Sequence, residues 1–203
     1  MSINGVVAVH IEGIVAEGLF VIRLNRFEAI IDINGNDELV HVPNTGRLRE
    51  LLLPGVRVLV RGFNNPKRKT RFGLLLVEKE GIWISIDSAN VPNRIVHEAL
   101  INKEISRFKR FEQIKREVTM GKSRFDFALF STNQEYFLEV KGVTLVENSK
   151  AYFPDAPTER GTRHLNELIQ LKESGKGAGV IFIIQRQDAD MITPNDRTDK
   201  AFG

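Results

Sequence analysis

Arg124-Phe125-Asp126-Phe127-Ala128-Leu129-Phe130, Ser131-Thr132-Asn133-Gln134 and Glu135-Tyr136-Phe137-Leu138-Glu139-Val140-Lys141 read in order as strand, turn and strand. Apolar residues flank Asp126, and Leu138 and Val140 bracket Glu139, so side chains should alternate between two faces of each strand. Glu139 and Lys141 then share a face. With 131–134 as a four-residue loop, Phe130 pairs with Glu135 and Asp126 falls opposite Glu139. Opposed positions hold their Cβ atoms about 4.5–5.5 Å apart, a spacing at which like charges destabilise a sheet. A divalent cation would neutralise Asp126 and Glu139, and two carboxylates beside an ammonium suggest a metal site that cuts phosphodiesters.

Working outward from this hairpin, the pattern predicts a helix over about Pro92–Phe108 and strands near Gln113–Met120, Arg124–Phe130 and Glu135–Leu145. A second helix follows over about Pro157–Glu173, and then a buried strand at Gly179–Ile184. The order is αβββαβ. In the first helix Glu98 falls at i with Ile101, Ile105 and Phe108 at i+3, i+7 and i+10, which puts a carboxylate on or beside the buried stripe, where an unpaired charge is costly. In the second helix Glu159, Arg163, Asn166 and Gln170 form a polar stripe, with Leu165, Leu168 and Ile169 on the buried side. A solvated helix face is the commoner meaning of such a stripe. The segment before it, Ala151 to Gly161, is rich in aromatics and prolines for a plain connector.

Upstream the chain changes in kind. Short strands are expected over Val6–Ile11, Leu19–Leu24, Glu28–Ile33, Glu38–Val42, Val56–Arg61, Phe72–Glu78 and Ile82–Ile86, with one helical segment at Arg47–Leu53 that Pro54-Gly55 stops. A meander with one short helix suggests a small barrel of the oligonucleotide-binding (OB) type, although sandwiches and SH3-like barrels share most of those signals. The break falls at Ser88–Asn93. Residues 1–86 therefore read as an OB-like barrel for nucleic acid, and residues 90–203 as the αβββαβ domain. The expected fold class is α/β (α+β), a small β-barrel followed by a domain with a mixed sheet.

Composition narrows the chemistry. The 203 residues carry a net charge of +3 and an isoelectric point near 9.2, which permits an anionic partner without requiring one. With no cysteine there are no disulfides or thiolate metal sites, and His10, His41, His97 and His164 have no short ligand spacing. Any metal would be a hard, oxygen-ligated ion such as Mg²⁺ or Mn²⁺. No apolar run approaches the ~20 residues of a membrane span and no secretory leader pattern opens the chain, so a soluble cytoplasmic protein is expected.

The loop Arg61-Gly62-Phe63-Asn64-Asn65-Pro66-Lys67-Arg68-Lys69-Thr70-Arg71 holds five positive charges and no acid. It lies where OB barrels present nucleic-acid-binding loops, but a solvated hairpin tip explains it about as well. A second basic region, Lys103 to Arg116, is diluted by Glu104 and Glu112 and reads as ordinary surface. Gly121-Lys122-Ser123 lacks the upstream glycine of a phosphate-binding loop, and Gly175–Gly179 stands in the reverse order of a dinucleotide fingerprint.

Asp126, Glu139, Lys141 and Glu98 in an αβββαβ order resemble the PD-(D/E)xK nuclease superfamily, with Phe125 standing where the superfamily's name has proline. The resemblance implies Asp126 and Glu139 as metal ligands, Lys141 orienting water or stabilising the phosphate, and Glu98 as an outer or second ligand. It also implies that the second helix completes the site, through Glu159, Arg160, Arg163 and His164. A narrower resemblance spans nearly the whole chain. His41-Val42-Pro43-Asn44-Thr45-Gly46-Arg47, Pro92-Asn93-Arg94, Glu139 to Leu145, Phe153-Pro154-Asp155-Ala156 and Thr158-Glu159-Arg160-Gly161 are similar to the sugar fermentation stimulation protein A family. That family implies an OB-type barrel, a restriction-endonuclease-like domain, and binding to DNA with a part in regulating sugar metabolism; contacts from the basic loop would be to phosphates and read little sequence. It also implies a further helix and strand after the last predicted strand, whereas the sequence ends at Ala201-Phe202-Gly203, so that either the C-terminus is truncated or those last elements are absent. Two functions are expected from these readings. One is a DNA-binding, Mg²⁺- or Mn²⁺-dependent nuclease with Arg61, Lys67, Arg68, Lys69 and Arg71 on the nucleic acid. The other is a non-catalytic DNA-binding regulator with a vestigial site. A module for a small phosphorylated ligand or a protein is a third, weaker option.

Overall fold

The computed structural model describes residues 13–203 apart from Ala89; the strand expected over Val6–Ile11 lies outside the described residues. Strands β1 (Val15–Arg23), β2 (Glu28–Ile33), β3 (Asn36–His41), β4 (Arg57–Gly62) and β5 (Phe72–Lys79) form the first domain. Their neighbours pair antiparallel in the order β3-β2-β1-β4-β5, and a short parallel pairing of β3 with β5, Val40↔Phe72 and His41↔Gly73, closes them into an OB-like barrel. Strand β6 (Ile82–Ser85) pairs with β5 further along. Alternation drives the closure: in β2, Ala29, Ile31 and Ile33 point into a core shared with Phe20, Val40, Val58, Val60, Leu74 and Val77. The β2–β3 turn is Asn34-Gly35 with both φ positive (55° and 79°), the backbone that matches strand twist in a two-residue hairpin.

The helix expected at Arg47–Leu53 does not form. Leu48 takes a left-handed φ of 52°, which no helix continues, and the segment runs as turns. Leu48, Leu51 and Leu52 keep the i, i+3, i+4 spacing of one helix face and all insert into the barrel core, but the left-handed Leu48 limits the segment to a single turn, with the Leu51 and Leu52 N–H groups donating to the Leu48 carbonyl.

In the second domain α1 (Asn90–Ile101) precedes a 3-10 turn at Ser106–Phe108. The helix stops at Ile101, short of the expected Phe108, and Lys103 just beyond it has φ 55°. Its buried residues are Pro92, Val96, Ala99 and Leu100; Ile101 is 56% exposed, so Glu98 stands beside the buried stripe. Strands β7 (Gln113–Met120), β8 (Ser123–Ser131) and β9 (Gln134–Val143) follow, then β10 (Leu145–Glu147) and β11 (Lys150–Phe153), α2 (Glu159–Glu173), β12 (Gly177–Ile184) and β13 (Met191–Pro194). The main sheet runs β12-β9-β8-β7, with β12 parallel to β9 and the rest antiparallel. On one face Val96 and Leu100 of α1 pack with Phe127, Leu129, Tyr136, Leu138 and Val140. On the other, Leu168 of α2 packs with Phe125, Ala128 and Phe137. Ile169, expected on the buried side of α2, is 54% exposed.

The segment rich in aromatics and prolines is not a bare connector. Strands β10, β11 and β13 form a small second sheet, with Asn148 and Ser149, both at positive φ, making the β10–β11 turn. This sheet carries Asp155 to the barrel, where its Oδ2 accepts from the Leu48 N–H at 3.0 Å. Gln185 Nε2 donates to the Asp87 carbonyl (2.9 Å), and the buried Arg186 guanidinium lies 3.9 Å from Glu50. These three contacts tie the barrel and the chain leading out of it to the second domain. No helix among the described residues is long and apolar enough to cross a membrane.

Candidate active site

Strands β8 and β9 pair from Ser131↔Gln134 to Phe127↔Leu138. The predicted register holds, and the loop narrows to Thr132-Asn133. One step further, at Asp126 and Glu139, the ladder stops. Phe127 belongs to the core under α1 while Phe125 belongs to the core under α2, so the alternation of β8 breaks at Asp126. That break frees the Asp126 carboxylate to accept from the β9 backbone, Val140 N–H to Oδ2 at 2.7 Å, and from Asn93 Nδ2 of α1 to Oδ1 at 3.1 Å.

Glu139 remains on the α2 side of β9 and is 4% exposed. Its Oε1 accepts from Lys141 Nζ (2.5 Å) and meets His164 Nδ1 of α2 (2.7 Å). Arg160 Nε, always a donor, lies 3.5 Å from His164 Nε2, which leaves the ring proton on Nδ1, directed at Glu139. The second oxygen, Glu139 Oε2, is buried and has no hydrogen-bond partner. Burial pushes the Asp126 carboxyl above its ordinary pKa and the Glu139 charge adds to this, against the Val140 N–H, the Asn93 amide and Lys141.

Asp126, Glu139 and Lys141 line a cleft of about 470 Å³ between the two domains. Asn90 and Asn93 line it from α1, Arg160 and Gly161 from α2, and Phe27, His41, Pro43, Asn44 and Thr45 from the barrel. Two glycines allow this closeness. A Cβ on Gly142 would stand 2.5 Å from Gln185 Oε1 and 2.7 Å from the Ser88 carbonyl, and one on Gly46 would stand 2.6 Å from Asp155 Oδ2. Thr158 caps α2 by accepting from the Gly161 N–H at 3.0 Å, which fixes the helix end that presents Arg160 and His164.

Not every candidate from the sequence reaches the cleft. Glu98 lines an adjoining hollow of about 300 Å³ with His97, Arg116 and Glu117; Asn90 and Asn93 border both spaces. Glu159 is exposed, and Arg163, Asn166 and Gln170 border a separate hollow beside Lys122 and Phe125. Arg160 and His164 alone of the α2 set join the site. Sequence reasoning gave Asn93 no role, nor any barrel residue of the cleft, although Asn93, Asn44 and Thr45 lie in motifs that stand out in the sequence.

The basic loop divides by partner. Lys69 is taken by Glu28 at 2.6 Å, and Arg71 lies over Phe72 at 5.4 Å. Arg61 and Arg68 stack on Phe63 (4.8 and 3.8 Å) beside a hollow of about 210 Å³, and Lys67 is exposed.

For a cation, the protein offers Asp126 and Glu139. No group of three or more His, Cys, Asp or Glu side chains able to hold a metal occurs among the described residues. The orphaned Glu139 Oε2 fits a hard ion that takes one or two carboxylates and fills its remaining positions with water and substrate oxygens, as Mg²⁺ does.

Two family models match the chain. The model of the SfsA N-terminal OB domain matches residues 21–86, and that of the sugar fermentation stimulation protein RE domain matches residues 90–203. A sugar fermentation stimulation protein homolog of Acetivibrio thermocellus is 59% identical over 193 residues, covering 95% of this chain and 83% of that protein. A homolog from Clostridium botulinum strain Alaska E43 is 54% identical, covering 90% and 80%. Among solved structures, Pyrococcus furiosus SfsA, described in complex with Ca²⁺, superposes with a TM-score of 0.85 at 30% identity over 96% of this chain and 84% of that one. The chain belongs to the sugar fermentation stimulation protein (SfsA) family.

Proposed function

We propose that the protein binds DNA through backbone contacts and hydrolyses phosphodiester bonds at the Asp126–Glu139–Lys141 cleft with Mg²⁺ or Mn²⁺. The observation that carries this is the buried, unpartnered Glu139 Oε2 beside Asp126, a negative pair that a divalent cation would complete. The Ca²⁺ described for the Pyrococcus furiosus relative supports a hard-cation site in this fold. Asp126 and Glu139 would hold the ion; when bound, it lowers the pKa of a water and screens charge on the phosphate. The chain's own groups supply positioning. Asn93 and the Val140 N–H hold Asp126, while His164, backed by Arg160, holds Glu139. Lys141 Nζ lies in the same cleft, able to donate to a phosphate oxygen or orient the attacking water. Glu98 has no direct part in this reading, because it lines the adjoining hollow. A cytoplasmic setting is assumed, in line with the cysteine-free sequence.

The test is incubation of the purified protein with linear, circular and single-stranded DNA plus Mg²⁺ or Mn²⁺, beside Glu139→Ala. Metal-dependent cutting by the wild type alone is expected; equal cutting by both proteins, or none by either, overturns the proposal. One observation favours a second reading, a non-catalytic DNA-binding regulator: Lys141 already pairs with Glu139 at 2.5 Å, as a vestigial site would. That reading requires salt-dependent DNA binding that Glu139→Ala leaves unchanged.

A further inference from the structure

Resting on the nuclease reading, we infer that the cleft takes a single strand of nucleic acid, led in along a groove whose entrance is Arg61, Phe63 and Arg68. The floor of the cleft is deeply set: the side chains of Glu139 and Lys141 are 6% and 17% exposed, and Phe27, His41 and Thr45 wall it from the barrel side. A space of about 470 Å³ enclosed by two domains has room for a nucleotide and its phosphate. A duplex brings its second strand wherever the first goes, whereas a single strand can bend one phosphate down to the shielded floor at Glu139 and Lys141.

The hollow beside the basic loop gives the strand a route. It shares His41, Pro43 and Asn90 with the cleft, so the two spaces adjoin across a common border. Its outer end carries Arg61 and Arg68, each stacked on Phe63. Neither guanidinium forms an ion pair with any described residue, in contrast to Lys69 on the same loop, which Glu28 holds. Cations beside an aromatic ring, in a groove leading to a narrow site, are what a sequence-tolerant single-strand path needs: charge for the backbone and flat surfaces for bases.

The test is fluorescence anisotropy with an end-labelled DNA 12-mer, single-stranded or as a blunt duplex of the same sequence, in EDTA so that no cutting intervenes. Tighter binding of the single strand is expected, by about ten-fold or more, with affinity falling as salt rises. Arg61→Ala/Arg68→Ala removes two phosphate contacts and should lower the log–log salt slope by roughly 1.4, at about 0.7 per contact on single strands. Its thermal midpoint and circular dichroism should match the wild type, both side chains being outside the barrel core. Duplex binding as tight as single-strand binding, or an unchanged slope in the folded double variant, overturns the inference. Cutting assays separate it from the nuclease reading. Single-strand preference without cutting of any substrate supports the groove and refutes catalysis, whereas equal cutting of blunt duplex and single strand refutes the groove and supports catalysis.

Discussion

Replacing Lys141 by methionine keeps the length of the side chain and removes its charge. Glu139, with a side chain 6% exposed, is then left without its cationic partner. His164 still meets Oε1, and Lys141 is the ammonium that is lost. Removing one member of a buried ion pair costs about 3–5 kcal/mol, mostly the penalty of the charge left behind. For a chain of this size each kcal/mol moves the thermal midpoint by about 2–4 °C, so Lys141→Met should lose roughly 6–20 °C in metal-free buffer. Removing both charges in Glu139→Gln/Lys141→Met should recover most of that loss, since a pair removed together leaves no stranded charge. Adding Mn²⁺ to the single variant should also recover part of it, because a cation between Asp126 and Glu139 would take over the ammonium's work. The assay is scanning calorimetry of the three proteins, with and without Mn²⁺. A loss in Lys141→Met smaller than about 1 kcal/mol, or a double variant as unstable as the single, would refute the argument from an isolated buried charge.

Two further predictions concern the same cleft. The folded-state pKa of Asp126 is raised by burial and by Glu139, so the native protein binds the proton more tightly than the unfolded chain. Its contribution is fully present below the unfolded carboxylate value of about 3.9 and is lost as pH rises through the folded value. In EDTA, Asp126→Asn should therefore lose less stability than the wild type between acid and neutral pH by urea titration; parallel pH profiles would contradict this. Gly142→Ala places a methyl 2.5 Å from Gln185 Oε1 and 2.7 Å from the Ser88 carbonyl, and should cost about 1–3 kcal/mol and lower cleavage or DNA binding together. A variant as stable as the wild type would show that the contact of Gly142 with the chain before α1 is looser than described.

The parts legible in the sequence were those written as local periodicity. The β8–β9 register followed from alternation and a turn, and it holds from Phe127↔Leu138 to Ser131↔Gln134. Strands of the barrel were found the same way, since each has one face in a core. Periodicity misled where tertiary burial overrode local preference. Leu48, Leu51 and Leu52 read as a helix but all enter the barrel core through turns, and Ile101 and Ile169 read as buried but face solvent. The sheet β10-β11-β13 was invisible because its strands are three or four residues long, too short for a pattern.

By itself the sequence determined the barrel strands, the αβββαβ order, and the β8–β9 register as far as Phe127↔Leu138, because a regular strand alternates its side chains between two faces. Only the tertiary structure decided which charged residues meet. It broke the alternation of β8 at Asp126, brought His164 to Glu139 across 25 residues, joined Leu48 to Asp155 across 107, and set the barrel against the cleft. It also left Glu98 and Arg163 in neighbouring hollows. The physical reason is that convergence at a site depends on how separate elements pack, and packing is fixed by core shape and close approach, as at Gly142 and Gly46, which no local period encodes.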